Sequence, residues 1–168
     1  GGYVYISMFK PNVEDGENQW LGNLKKYSVN DDNQIASCSN SEAILDSAGY
    51  IKDGARSCWS DSADGSDVKA GGAGGELLNN TSRTVYYDDS EDAVDGLKEF
   101  NDTNLSDSDF GFVPGDISLS NFIDRILMKD EDWKLFDLNH SKPGVYDSGG
   151  GKFIFVGSNG GMLHCFDD

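Results

Sequence analysis

The sequence predicts a mainly β fold that carries two inserted helices and long loops. About seven or eight short segments are rich in β-branched and aromatic residues and are separated by turns rich in Gly, Asp, Asn and Ser, which is typical of antiparallel sheets. Only two segments repeat apolar residues at the spacing of a helix. A chain of 168 residues fits one domain, so we predict that residues 1–168 form a single domain.

The N-terminal half is predicted to begin with a hairpin and to continue as a long loop. Strands at 3–9 and 20–29 are joined by a polar, turn-rich segment. Residues 37–82 are predicted to be mostly loop, because the glycine run at 71–75 is flexible and breaks regular structure. A short strand follows at 83–87. The core contacts expected in the loop are Ile44, Leu45 and Trp59.

Two helices are predicted in the middle of the chain. The first covers residues 90–101, with Val94, Leu97 and Phe100 on one stripe. The second covers residues 118–129 and has the strongest periodic signal of the sequence, since apolar residues recur at i, i+3, i+4, i+7 and i+8. Its core-facing residues are Leu119, Phe122, Ile123, Ile126 and Leu127.

The last third of the sequence returns to strands, which are predicted at 145–146, 152–156 and 162–166. The residues expected to supply positive φ angles to a tight turn between the last two strands are Asn159, Gly160 and Gly161. Cys165 alternates with His164 on the final strand, so one of the two side chains points inward. Free cysteine is among the most buried residue types, and we predict that Cys165 is buried.

The charge of the chain excludes several classes of partner. Thirty acidic residues stand against thirteen basic ones, which gives a formal net charge of −17. Such a surface repels phosphate backbones and anionic lipids, so nucleic acid is not expected as a partner. The charge itself is explained by solubility and mutual repulsion between molecules. No stretch of about 18 apolar residues exists, so no membrane span is expected.

Two of the three cysteines, Cys38 and Cys58, lie in polar loops and are predicted to form a disulfide. The bond would close a loop of about twenty residues and stabilise the fold by roughly 3 kcal/mol. Two free thiols are the alternative that composition alone leaves open.

The sequence contains one candidate metal site and no candidate catalytic site. Asp61, Asp64 and Asp67 could give oxygen ligands to Ca²⁺, but their spacing is not that of an EF-hand, and a solvated acidic loop is the favoured interpretation. His140 and His164 are too far apart in sequence to form a zinc motif and are expected to be structural. No nucleophile elbow is present. We therefore predict a protein that is not an enzyme. The one cofactor that the sequence suggests is Ca²⁺, at the acidic loop.

Four segments match, in the same order, motifs of one protein family, and on these segments the chain resembles the PilY family of type IV pilus biogenesis and tip-associated adhesins. Residues 20–27 resemble its W-x-G-x-L-x-x-Y hairpin, and residues 64–72 its D-G-x-x-V-x-x-G-G segment. Residues 136–143 resemble its G-D-x-x-H-S-x-P segment, and residues 155–167 its V-G-x-N-D-G-M-L-H-A-F-D strand pair. The principal matching positions are Trp20, Gly22, Tyr27, Asp137, His140, Ser141, Pro143, Asn159, Gly161 and His164.

The chain departs from the family pattern at three positions. Phe136 stands where the family has Gly, Gly160 replaces the Asp of the N-D-G turn, and Cys165 replaces a small residue. The D-x-D-x-D-G calcium loop of the family is not found in this sequence. Trp20 and Tyr27 are expected to be large anchors between packed sheets.

The resemblance implies a partial β-propeller with quinoprotein-like blades, which would be the N-terminal part of the family's C-terminal propeller domain. A closed propeller needs at least about sixteen strands, so the remainder would lie on the same precursor or on another chain. The implied role is that of a non-enzymatic surface protein that supports pilus assembly, adhesion and twitching motility at the pilus tip. Its implied partners are minor pilins or other tip components and a host or surface ligand.

Two other functions remain open at this point. One is a secreted adhesive or filament-forming module without a pilus role. The other is a fragment of a quinoprotein-type dehydrogenase, which would need a quinone, calcium and a catalytic Asp.

Overall fold

The computed structural model describes residues 2–12, 19–80, 83–89, 96–112, 117–129 and 132–168. Among these residues the fold is mainly β, as predicted. Its elements in chain order are β1 (Tyr3–Asn12), β2 (Gln19–Val29), β3 (Ile35–Ala36), α1 (Gly72–Asn79), β4 (Tyr86–Asp88), β5 (Leu97–Glu99), a 3₁₀ turn (Asp107–Phe110), α2 (Leu119–Ile126), β6 (Gly144–Asp147), β7 (Lys152–Gly157) and β8 (Leu163–Asp167).

The chain divides into two compact units. The large unit consists of Gly1–Asn79 together with Trp133–Asp168, and the small unit consists of Asn80–Asp132. The small unit is therefore inserted in sequence between two segments that fold together.

The first sheet of the large unit has the order β1-β2-β3. The predicted N-terminal hairpin is confirmed, since β1 and β2 pair antiparallel from Tyr3 opposite Ser28 to Asn12 opposite Gln19. Residues 13–18, where the connecting loop is predicted, lie outside the described residues. Strand β2 is the central strand of this sheet.

Strand β2 is buried on both faces, because every residue from 21 to 27 is shielded from solvent. Three of its side chains enter three separate apolar clusters. Leu24 packs with α1 and β7, Leu21 packs with Val68 and Trp133, and Tyr27 packs with Ile44. The hydrophobic effect therefore fixes β2 at the centre of the large unit.

Two of the three core residues expected in the long loop after β3 pack in the core, and the third does not. Ile44 is buried, and Trp59 packs half-buried against the Leu24 cluster. Leu45 is 40% exposed, so its predicted core position is wrong. Ile44 and Leu45 are neighbours in sequence, and of the two only Ile44 packs against Tyr27.

Helix α1 begins within the glycine run, where the sequence predicts a flexible loop. The prediction is wrong because distant side chains cap the helix: Asn23 Oδ1 accepts the N–H of Gly74 at 2.9 Å, and Ser60 Oγ accepts that of Gly72 at 2.9 Å. Gly71 and Gly72 have φ angles of 53° and 60°, which favour glycine. A Cβ at Gly71 would lie 2.0 Å from Ser60 Oγ. The glycines thus allow a close approach.

The second sheet of the large unit has the order β6-β7-β8, and its three strands are confirmed. The turn between β7 and β8 is closed by hydrogen bonds from Ser158 N to Met162 O at 2.9 Å and from Gly161 N to Ser158 O at 3.0 Å. Of the three turn residues, only Gly161 has a positive φ, at 80°. The expectation is wrong for Asn159 and Gly160.

Cys165 is exposed, which contradicts its predicted burial. Side chains alternate along a strand, and His164 is the residue of the pair that points into the core, where it is 7% exposed. Cys165 lies opposite Phe155, itself 37% exposed, on the outer face of the sheet. The general preference of cysteine for burial is outweighed by the register of the strand.

Both sheets of the large unit have unpaired edges. Among the described residues β1, β6 and β8 each pair with one neighbour only. Within the same residues the sheets close into neither a barrel nor a propeller.

In the small unit, β4 and β5 form a short antiparallel hairpin. The predicted helix over 90–101 is wrong for the part that is described, since β5 occupies its end; residues 90–95 lie outside the described residues. Phe100 N donates to Val85 O at 2.8 Å, and the Phe100 ring packs edge-on against Tyr87 at 6.1 Å. Pairing and aromatic packing outweigh the helical spacing.

Helix α2 is confirmed and is shorter than predicted. Ser118 Oγ caps it by accepting the N–H of Asn121 at 3.2 Å, and the helix ends before Met128, which has a φ of 53°. Ile123 is its buried residue, and Phe122 joins an aromatic cluster with Phe100 at 6.2 Å. No helix in the described part of the chain has the length and apolar character needed to cross a membrane.

Two neighbouring glycines of α1 are predicted to respond oppositely to alanine. A Cβ at Gly74 would lie 2.0 Å from Trp133 Cζ2, whereas a Cβ at Gly75 has no atom within 4 Å. We expect Gly74→Ala to lower the free energy of unfolding by about 1–3 kcal/mol through overpacking. Gly75→Ala is expected to raise it by up to about 1 kcal/mol through helix propensity. Urea unfolding measures both, and equal effects would contradict the packing of Trp133 on α1.

Candidate functional site

Three of the four motif segments meet at one place, which we call the motif junction (Gly22, Phe136, Asp137, Asn159 and Gly160). Asp137 donates its N–H to the carbonyl of Trp20 at 2.9 Å, and its own carbonyl accepts the N–H of Asn159 at 3.0 Å. Asn159 Nδ2 also donates to Asp137 Oδ1 at 2.8 Å. Asp137 thereby links the first residues of β2 to the β7–β8 turn.

Gly22 is required at the motif junction because backbone lies directly against it. A Cβ at this position would lie 2.2 Å from the carbonyl oxygen of Phe136. Gly22 N donates to Leu135 O at 2.8 Å, and its carbonyl accepts the indole N–H of Trp133 at 2.8 Å. Any side chain at Gly22 would therefore separate β2 from residues 133–137.

Two departures from the family pattern contact each other at the motif junction. A Cβ at Gly160 would lie 2.4 Å from Cδ2 of Phe136, so the phenyl ring fills the space that a side chain at 160 would occupy. Phe136 and Gly160 are therefore complementary in volume, since the ring is accommodated because residue 160 has no side chain.

The remaining matched residues differ in how closely they are held. Ser141 Oγ accepts the N–H of Gly157 at 2.9 Å, and His164 Nε2 lies 3.1 Å from Ser158 Oγ. His164 is therefore a buried residue with a polar contact to the β7–β8 turn. His140 is exposed in a turn, and Pro143 is half-buried just before β6.

The two aromatic anchors of β2 also differ. Tyr27 is fully buried, but it packs against the loop residues Ile44 and Ala55 and not between two sheets; burial raises the pKa of its phenol. Trp20 is 49% exposed and packs on Phe9 at 5.7 Å, so its expected position between sheets is wrong. It lies near the end of the hairpin, beyond the buried part of β2.

The predicted disulfide between Cys38 and Cys58 is present, with Cα atoms 5.1 Å apart. Backbone hydrogen bonds hold both ends of the bridge. Cys38 N donates to Arg56 O at 3.1 Å, and Cys58 N donates to Lys26 O at 2.7 Å. The bridge fastens the loop after β3 alongside β2.

The three predicted calcium ligands are not brought together. Asp64 is buried, and its carboxylate accepts hydrogen bonds from Ser57 N, Ser57 Oγ and Ser60 Oγ at 2.7–2.9 Å. Asp61 and Asp67 are exposed, and Asp67 Oδ1 accepts the N–H of Lys69. Among the described residues no group of three or more His, Cys, Asp or Glu side chains is arranged to hold a metal ion.

The cation beside Asp64 is the ammonium group of Lys25, which lies 3.3 Å from Asp64 Oδ2. Lys25 Nζ also donates to the carbonyls of Asp64, Gly65 and Asp67 at 2.8, 3.0 and 2.9 Å. We call these three carbonyl groups the carbonyl cage. Burial lowers the pKa of Lys25, and the charge of Asp64 acts in the opposite direction.

Asn23 holds the other end of the same loop. Its Nδ2 donates to the carbonyls of Val68 and Gly71 at 3.0 and 2.9 Å, while its Oδ1 caps α1. The first motif therefore binds the D-G-x-x-V-x-x-G-G segment through Asn23 and Lys25. Sequence reasoning missed both residues. The signal available was their position on one strand face between the apolar residues Leu21 and Tyr27.

A second polar network joins β1 and β2 to the end of the described chain. Asp168 Oδ1 accepts the hydroxyl of Tyr5 at 2.6 Å and forms a short ion pair with Lys26 Nζ. Burial acts to raise the pKa of Asp168, but hydrogen bonds from Lys26 and Tyr5 outweigh it and hold the pKa below its ordinary value of 3.8. The carboxylate form is therefore favoured in the folded state.

Comparison of the chain with protein-family models, with curated proteins and with solved structures gives no match.

The close packing of the Phe136 ring on Gly160 predicts that substitutions at these two positions have coupled effects on stability. We expect Gly160→Ala to destabilise the protein by about 1–3 kcal/mol, because its Cβ overlaps the Phe136 ring. In a Phe136→Ala background the same change should cost at least about 1 kcal/mol less. A double-mutant cycle by urea unfolding measures the difference. Additive costs would show that the ring does not occupy this space.

The Asp168 network predicts a pH-dependent contribution to stability. A carboxyl group whose pKa is lower in the folded than in the unfolded state contributes to stability. The contribution is complete at pH values above the pKa of the unfolded state, and it is lost as the pH falls through the pKa of the folded state. Asp168→Asn should therefore cost about 1 kcal/mol at neutral pH. The difference from wild type should shrink below pH 3.8. Unfolding curves across that range test this, and a constant difference would contradict the network.

Proposed function

We propose that this chain is part of a β-propeller with quinoprotein-like blades, in a non-enzymatic surface protein of the PilY type. Its role is in type IV pilus assembly, adhesion and twitching motility at the pilus tip. The observation that supports this proposal is the contact between the four motif segments. Asp137 bonds to Trp20 and to Asn159, which belong to two other segments, and Asn23 and Lys25 bond to the fourth segment.

Chance matches to short motifs would be scattered over a structure. Here two of the matched segments are bonded to each other: Asp64, Gly65 and Val68 of one bind the side chains of Asn23 and Lys25, which stand at unspecified positions of the other. The motifs behave as parts of one structural unit, which is the property expected of a family signature. This supports carrying the family's role over as a proposal.

The unpaired sheet edges support completion of the fold by further strands. Propeller blades have four strands, whereas the sheet β6-β7-β8 has three in the described part of the chain. The outer strand β8 carries the exposed residues Leu163 and Cys165. We propose that the remaining strands come from the same precursor or from another chain, and that minor pilins or tip components bind the assembled propeller.

The disulfide and the net charge are consistent with a position outside the cell. A Cys38–Cys58 bridge persists in oxidising compartments, such as the cell exterior. A net charge of −17 keeps an exported protein away from anionic membranes and nucleic acid. We therefore propose an extracellular position, with a host or surface ligand as the adhesion partner.

Deletion of the gene in the organism that encodes it tests the pilus role. We expect fewer surface pili and reduced twitching, both restored by the wild-type gene. Gly22→Val should not restore them, because its side chain would overlap the Phe136 carbonyl. Tyr50→Ala, at a residue that is 73% exposed, is the matched control and should restore both. Protein levels are measured in each strain.

Normal piliation and twitching after deletion would contradict the pilus role and favour a secreted adhesive or filament-forming module. An absorbance spectrum and a calcium assay of the purified native protein test the enzymatic alternative. A bound quinone chromophore would overturn the non-enzymatic proposal. Sedimentation of the native particle should give a mass above that of the 168-residue chain; a stable monomer of that chain would contradict completion by further strands.

A further inference from the structure

The ammonium group of Lys25 is surrounded by oxygen atoms in a site closed to solvent. Its side chain has no exposed surface, and that of Asp64 is 2% exposed. The carbonyl cage accepts three hydrogen bonds of 2.8–3.0 Å, and the Asp64 carboxylate is the fourth oxygen group, at 3.3 Å. An ammonium group has three N–H donors, so the cage satisfies all of them.

Main-chain carbonyls and a carboxylate are the ligands with which proteins bind hard metal cations. The distances in the carbonyl cage are those of N–H···O hydrogen bonds and exceed the roughly 2.3–2.6 Å of calcium coordination. The charge balance also fits a monovalent cation, because Asp64 is the single carboxylate directed at the site. Asp67 contributes only its carbonyl, and its carboxylate lies 3.6 Å from Lys10.

We propose that Lys25 is the resident cation of the loop Asp64–Asp67, in the position that a bound metal would otherwise fill, and that the site recognises a primary ammonium rather than Ca²⁺. The loop that the sequence suggests as a calcium site is therefore organised from within the chain. This inference is independent of the pilus role.

The site has consequences beyond the loop, because its groups are linked to α1. Asp64 Oδ2 accepts the hydroxyls of Ser57 and Ser60, and Ser60 Oγ accepts the N–H of Gly72 at the start of α1. Loss of the ammonium would leave Asp64 as an unpaired buried charge, which is strongly destabilising. The order of this whole segment thus depends on one side chain.

Wild-type protein tests the inference without any substitution. We expect its thermal unfolding midpoint to be the same in excess Ca²⁺ and in excess chelator, and calorimetric titration to detect no calcium binding to the described loop. Acetylation of the native protein should modify exposed Lys10 and leave Lys25 unmodified, as peptide mass mapping shows. A midpoint that rises with Ca²⁺, or rapid acetylation of Lys25, would overturn the proposal.

Variants test the chemistry of the site. Lys25→Met should lower the unfolding midpoint by roughly 10 °C, whereas Lys10→Met, which removes an exposed ion pair to the same loop, should change it little. Lys25→Ala lacks a propylammonium group, so n-propylammonium chloride should raise its midpoint, and tetramethylammonium chloride at equal ionic strength should not.

Three results would contradict the role of the ammonium. They are equal midpoints for Lys25→Met and Lys10→Met, a rise for Lys25→Ala that both salts produce equally, and a rise with Ca²⁺ that n-propylammonium does not match. If Lys25→Ala does not fold, the comparison of wild type with Lys25→Met and the acetylation pattern still decide between the two cations.

Discussion

The burial of β2 on both faces is the constraint on which the large unit depends. Buried polar groups are costly unless they are hydrogen-bonded, and Asn23 and Lys25 bring an amide and an ammonium into the core. The segment from residue 57 to the start of α1 supplies those partners, mostly with main-chain carbonyls. An irregular, glycine-rich segment is suited to this task, because its backbone can approach closely and turn sharply. Its irregularity is a consequence of what it has to bind.

The first residues of β2 follow the same rule with different groups. Gly22 removes a side chain so that the backbone near Phe136 can lie against β2, and Trp133 and Asp137 then bond to the strand. Asp137 passes the connection to Asn159 and so orients the β7–β8 turn. The two sheets are therefore coupled through hydrogen bonds that start on one strand. The matched motif positions contribute mainly by allowing or making these bonds, which explains why their roles are structural.

Most of the strands, α2 and the disulfide could be predicted from local pattern, because each is encoded by neighbouring residues: alternation, helical spacing with a Ser118 cap, and two cysteines in polar loops. The errors arise where distant contacts decide. Helix α1 depends on caps from Asn23 and Ser60, and β5 depends on pairing with β4. Asp64 was predicted as a ligand of Ca²⁺, but the cation beside it is the ammonium group of Lys25. Its cation comes from β2, and no spacing rule within the acidic loop reveals a lysine 39 positions away.

The insertion of the small unit between the two parts of the large unit determines an order of folding. The small unit is continuous in sequence, so its contacts can form as soon as that segment has been synthesised. The large unit requires contacts of high sequence separation, which form slowly because a long intervening chain must be closed. Until Trp133 emerges, the Gly22 carbonyl lacks its indole donor and the Leu24 cluster lacks Leu135 and Ile154. A nascent chain must therefore carry β2 without these partners until residues 133–156 have been synthesised.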